Sequence, residues 1–179
     1  RQGTIPTFRF IIRDDSPSMK GSVTGEEGII MNPWADSRYQ WTNTSRYHFA
    51  LLAEFGMYEF LKKQGVLKHA TAKSVSFGGE TRVAKNLREC KGLALNPSFS
   101  GGTSLDMSKL KKMFGSNELV ISLSDGAISN WNQNITGLDG RSIMVKDEYI
   151  RRAKKNFYYH IQIGGESNMS RDLETAGLR

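Results

Sequence analysis

The chain has 179 residues, 38% of them hydrophobic and 24% charged, the make-up of one globular domain. That composition excludes a disordered polyelectrolyte, and no apolar run approaches the roughly 20 residues of a membrane-spanning helix. Twenty-five Lys and Arg against 18 Asp and Glu leave a formal charge of +7, yet the basic residues lie scattered, as in Lys62-Lys63, Lys109, Lys111 and Lys112, and Arg151, Arg152, Lys154 and Lys155. Each group falls on a predicted amphipathic helix whose outer face must be polar, so no nucleic-acid track is required.

Before the first element the chain opens at Arg1 without a signal-like segment, and it reads as a piece of a longer protein. Phe8-Arg9-Phe10-Ile11-Ile12-Arg13 is a predicted strand that ends abruptly in Asp14-Asp15-Ser16-Pro17-Ser18-Met19. Alternate residues of an extended segment point the same way, so Asp14, Ser16 and Ser18 can converge. One carboxylate and two hydroxyls make half of a hard-oxygen site suited to Mg²⁺ or Mn²⁺.

Residues 20–43 read as a long polar loop carrying Trp34, Tyr39 and Trp41, aromatics that either tuck it onto the body or wait for a partner. A helix follows from about Thr44 to Gln64, capped at Asn43, Thr44 or Ser45 and stopped by Gly65. Leu51, Phe55 and Tyr58 form its stripe, and Ala50, Leu52, Ala53, Met57, Phe60 and Leu61 widen it, which predicts a mostly buried helix. Thr71 to Phe77, Gly78-Gly79 and Glu80 to Ala84 read as a hairpin, and Leu87 to Leu95 as a short helix ended by Asn96-Pro97.

The loop Ser98-Phe99-Ser100-Gly101-Gly102-Thr103-Ser104 leads to a helix over about Leu105 to Phe114, capped by Thr103 or Ser104. A strand over Glu118 to Ser124 ends at Asp125-Gly126, so a carboxylate again stands at a strand end. Ala127 to Gly140 is irregular; then come a helix over Ile143 to Lys155, a strand over Phe157 to Ile163 and a helix over about Ser170 to Ala176. This alternation predicts a single α/β domain over 1–179: a Rossmann-like, mainly parallel sheet with one antiparallel edge strand and helices on both faces. Ligands of such sheets bind beyond the carboxyl ends of the strands, where Asp14 and Asp125 both fall.

Asp14-x-Ser16-x-Ser18, Gly101-Gly102-Thr103 and Ser124-Asp125-Gly126, in this order and on these elements, resemble the von Willebrand factor A domain with its metal-ion-dependent adhesion site. The resemblance implies that Asp14, Ser16, Ser18, Thr103 and Asp125 hold Mg²⁺ or Mn²⁺. Two departures stand out. Pro17 occupies the place where family members commonly have Gly, fixing φ and removing an amide donor, and the family's further strand after the last helix has no counterpart before Arg179.

Hydroxyl ligands leave a dication electrophilic, so an acidic side chain from another molecule can complete its octahedron. The resemblance therefore implies metal-dependent protein recognition without catalysis, the partner supplying an Asp or Glu and the aromatic loop helping to choose it. The alternative of another class is a Mg²⁺-dependent phosphoryl-transfer enzyme with Asp14 as nucleophile and Asp125 on the metal; it lacks the second aspartate two positions on, where Ser16 stands. His48, His69 and His160 have no ligand-like spacing. The single cysteine, Cys90, excludes an internal disulfide, reads as a buried apolar residue, and points to a reducing compartment and hence a cytoplasmic location.

Overall fold

A computed structural model describes residues 5–137 and 139–178. Five strands form the main sheet: β1 (Phe8–Asp14), β2 (Ser74–Phe77), β3 (Thr81–Ala84), β4 (Leu119–Ser124) and, last in the chain, β7 (Phe157–Gln162). Their order is β3-β2-β1-β4-β7. β1 runs parallel to β2 and β4, and β4 parallel to β7, while β3 alone is antiparallel, at the edge beside β2. Central strands of such a sheet are covered on both sides, and every residue of β4 is buried accordingly.

Two helical layers do the covering. On one face α1 (Arg46–Lys63) and α2 (Leu87–Leu95) pack Tyr47, Leu51, Tyr58 and Cys90 against Ile11, Ile121 and Leu123 of the sheet. On the other, α3 (Met107–Met113), α4 (Val145–Ala153) and α5 (Asn168–Thr175) pack Leu110, Val145, Tyr149 and Leu173 against Phe10, Ile12 and Val120. Alternate residues of β1 and β4 thus serve opposite cores, as the two-residue strand period requires. The expected α/β architecture with helices on both faces is the one observed. Among the described residues no strand follows α5 and no helix is long and apolar enough to cross a membrane.

Several local expectations are corrected. α1 is not mostly buried: Tyr47, Ala50, Leu51, Glu54, Tyr58 and Leu61 face inward, whereas Phe49, Leu52 and Phe60 on the opposite stripe are about half exposed. One sheet beneath a helix can cover only one side of it. α3 starts at Met107 and is capped by Asp106, whose carboxylate accepts from the Ser108 amide, not by Thr103 or Ser104. The segment after β4 is not wholly irregular, because β5 (Asn134–Thr136) and β6 (Ser142–Met144) pair as a small antiparallel hairpin.

Residues 20–43 are no open loop either. Bridges Ser22 to Ser45 and Ile30 to Thr42 fold them into an irregular antiparallel ribbon, with Val23 N donating to Thr44 O and Met31 N to Trp41 O. Trp41 at 5% exposure anchors the ribbon edge-on against Tyr47, while Trp34 at 83% stands in solvent. The ribbon both tucks and presents.

Candidate metal centre

β1 delivers Asp14 to the carboxyl end of the sheet with no exposure at all. Its Oδ1 accepts the Ser16 amide at 2.9 Å and its Oδ2 the Ser124 hydroxyl at 2.7 Å, so the carboxylate is held by the next loop and by the neighbouring strand. Ser16 then caps a single 3₁₀ turn, Pro17–Lys20, in which Met19 N returns to Ser16 O at 3.0 Å. Pro17 occupies the first position of that turn, where its fixed φ is already right and its missing amide costs no bond. Pro17 is thus accommodated locally.

The turn carries Ser18 across to Asp125. Ser16 Oγ lies 3.1 Å from Ser18 Oγ, and the Ser18 hydroxyl donates to Asp125 Oδ2 at 2.6 Å. Because Ser18 spends its proton on Asp125, the Ser16 hydroxyl is the donor of the pair. Four of the five predicted residues therefore form one circuit: Asp14, Ser16, Ser18 and Asp125.

Thr103 reaches the same edge through its backbone. Its carbonyl accepts both the amide and the hydroxyl of Ser129 at 2.8 Å, four residues past Asp125, and Ser104 N donates to Gly78 O at 2.8 Å. Gly79 lets this loop approach, since a Cβ there would stand 2.6 Å from Ser100 O. Among the described residues no hydrogen bond joins the Thr103 hydroxyl to the other four.

Charge is distributed unevenly along Arg13-Asp14-Asp15. Arg13 Nη1 is held by both carboxylate oxygens of Glu54, at 2.6 and 2.8 Å, with neither side chain exposed. Asp15 accepts Arg82 Nη2 at 2.6 Å and the Ser98 amide at 3.1 Å, clamping the loop before Gly101. Among the described residues Asp14 has only neutral donors and a second carboxylate nearby. Burial, reinforced by the Asp125 charge and opposed by the hydrogen bonds from Ser16 and Ser124, pushes its carboxyl up to about 7.

Such a carboxylate suits a cation. Two carboxylates and up to three hydroxyls make an all-oxygen donor set, and among the described residues no group of three or more His, Cys, Asp or Glu side chains gathers. Oxygen donors of this kind are the type that Mg²⁺ or Mn²⁺ takes.

A second set of contacts, not foreseen from the sequence, positions Asp125. The Gln162 amide donates at 2.7 Å to the carbonyls of Asp125 and Gly165, so its Oε1 accepts His160 Nε2–H at 2.8 Å. His160 Nδ1 must then accept from Ser122, and Ser122 from the buried Tyr158, which accepts from Tyr149. Burial holds His160 below its usual pKa, consistent with this neutral tautomer. Cys90 is buried, and burial pushes its thiol up.

Sequence reasoning also missed Glu54, Arg82 and Arg46 as companions of the loop after β1. Glu54 carried a signal, a lone acid on the inward stripe of α1. Arg46 and Arg82 carried none, because only the folded chain brings them to Asp125 and Asp15. No family model, curated protein or solved structure matches this chain.

Proposed function

We propose that this chain is a divalent-metal-dependent protein-binding module of the von Willebrand factor A type, in which Asp14, Ser16, Ser18, Thr103 and Asp125 hold Mg²⁺ or Mn²⁺ and a partner's Asp or Glu completes the coordination. The observation that carries the reading is Asp14: a fully buried carboxylate without a counter-ion among the described residues, joined through Ser16 and Ser18 to a second carboxylate from another strand. A bound dication would supply an electrophilic position for an outside carboxylate.

The chain's own residues do the rest. Ser124 and the Ser16 amide orient Asp14, and Gln162 with the Ala127 amide orients Asp125. The ribbon leaves this edge at Gly21 and returns at Arg46, whose amide donates to Gly21 O at 2.8 Å. It carries Ile29 at 72% exposure and Trp34 at 83%, apolar surface available to a partner. Phosphoryl transfer draws less support, because Ser16 stands where the second aspartate of such an enzyme would supply the general acid.

Isothermal titration of MgCl₂ and MnCl₂ into the chain tests the reading. One site is expected, abolished by Asp14→Ala and by Asp125→Ala in folded protein. Titrations unchanged by both substitutions would remove the metal centre from consideration.

A further inference from the structure

Arg46, the first residue of α1, places a guanidinium at the mouth of this centre. Its Nη1 donates to the Ser18 carbonyl at 3.2 Å and stands 3.7 Å from Asp125 Oδ2. The placement is built rather than incidental. The side chain lies against Gly21 and Gly164: a Cβ on Gly164, which has φ +98°, would come 3.2 Å from Nε, and one on Gly21 would come 3.6 Å from Nη1. Its Nε is buried with no hydrogen-bond partner among the described residues, and yet 34% of the side chain remains exposed. That is poor geometry for an ion pair made for stability, and it leaves the side chain short of full enclosure at the edge where an outside carboxylate would arrive.

We propose that Arg46 is a specificity residue of the metal centre: it loosens the hold on the dication and grips the partner's carboxylate once the dication is in place. This inference rests on the metal-binding reading. Two carboxylates and one guanidinium leave the centre with a single net negative charge, so a dication carries it past neutrality to a net positive charge. Without Arg46 the loaded centre would be neutral and would attract an acid less. The guanidinium fork matches carboxylate geometry, and a charge-assisted hydrogen bond from it would discriminate Asp or Glu from Asn or Gln.

The two roles have opposite signs, and that separates them from a merely structural one. A full positive charge beside a dication at near-bulk screening weakens metal binding about three- to tenfold, and losing one charge-assisted contact weakens carboxylate binding about tenfold. The experiment titrates MgCl₂ into wild type, Arg46→Gln and Arg46→Lys by calorimetry. It then measures anisotropy of fluorescein-labelled hexaglutamate and hexaglutamine peptides in saturating Mg²⁺ and in EDTA.

Arg46→Gln is expected to bind Mg²⁺ about three- to tenfold tighter and hexaglutamate about tenfold weaker. Arg46→Lys, which keeps the charge and loses the fork, is expected to retain wild-type Mg²⁺ affinity while still weakening the peptide; it carries the test if Arg46→Gln fails to fold. Hexaglutamine should not bind, and EDTA should release hexaglutamate. If Mg²⁺ and hexaglutamate affinities fall together, or neither changes, Arg46 is a structural prop and the inference is overturned while the metal centre stands. If wild type binds no Mg²⁺, both are overturned.

Discussion

Removing the charge of Asp14 should stabilise the metal-free protein, contrary to the usual outcome of changing a fully buried, doubly hydrogen-bonded residue. Burial and the Asp125 charge raise this carboxyl from an ordinary 3.8 to about 7. A group whose pKa is raised by folding contributes its stability below the unfolded value and loses it as pH rises through the folded one. The window therefore runs from about pH 4 to 7. A shift of about three units corresponds to about 4 kcal/mol in all, of which about 3 kcal/mol is lost between pH 5 and 8.

Asp14→Asn keeps an acceptor for the Ser16 amide and abolishes that titration. Urea unfolding in EDTA at pH 5 and pH 8 is the assay. Wild type should lose about 3 kcal/mol more than Asp14→Asn over that interval, and Mg²⁺ should restore wild type at pH 8 while leaving the variant unmoved. Mg²⁺ affinity of wild type should likewise rise with pH up to about 7 and then level off, since the carboxyl must lose its proton to bind. Parallel pH slopes for wild type and variant would refute the account of Asp14 as a buried acid awaiting a cation.

Glu54→Ala should cost about 3–5 kcal/mol, because it leaves the Arg13 guanidinium buried without its carboxylate partner. At about 2–4 °C per kcal/mol for a domain of this size, calorimetry should read a fall of roughly 6–20 °C; a loss under 1 kcal/mol would mean that the pair is not the neutraliser of Arg13. The two ribbon tryptophans should separate. Trp41→Ala should destabilise by about 3–5 kcal/mol, while exposed Trp34→Ala should leave stability within about 0.5 kcal/mol and Mg²⁺ affinity unchanged, both read by chemical unfolding and calorimetry. Equal destabilisation by the two would contradict the placement of Trp34 in solvent.

By itself the sequence determined the layers of this fold and the strand-end positions of Asp14 and Asp125. Apolar runs ending in Asp14 and Asp125, glycines at loop turns and a helix period between strands are properties of neighbouring residues, so they survive without knowledge of what lies across the sheet. The helix over Leu87–Leu95 and the hairpin around Gly78-Gly79 were legible for the same reason.

Only tertiary structure decided which charges meet. Within Arg13-Asp14-Asp15 all three residues look alike as a charged run; α1 then supplies Glu54 to the first and β3 supplies Arg82 to the third, while the middle residue receives Ser124 from β4 and, among the described residues, no cation. Likewise Phe49 and Leu51 are both apolar, and only the position of the sheet beneath α1 buries one and exposes the other. Coulomb energies and burial depend on distance in space, and residues 41 or 110 positions apart in the chain acquire that distance only on folding.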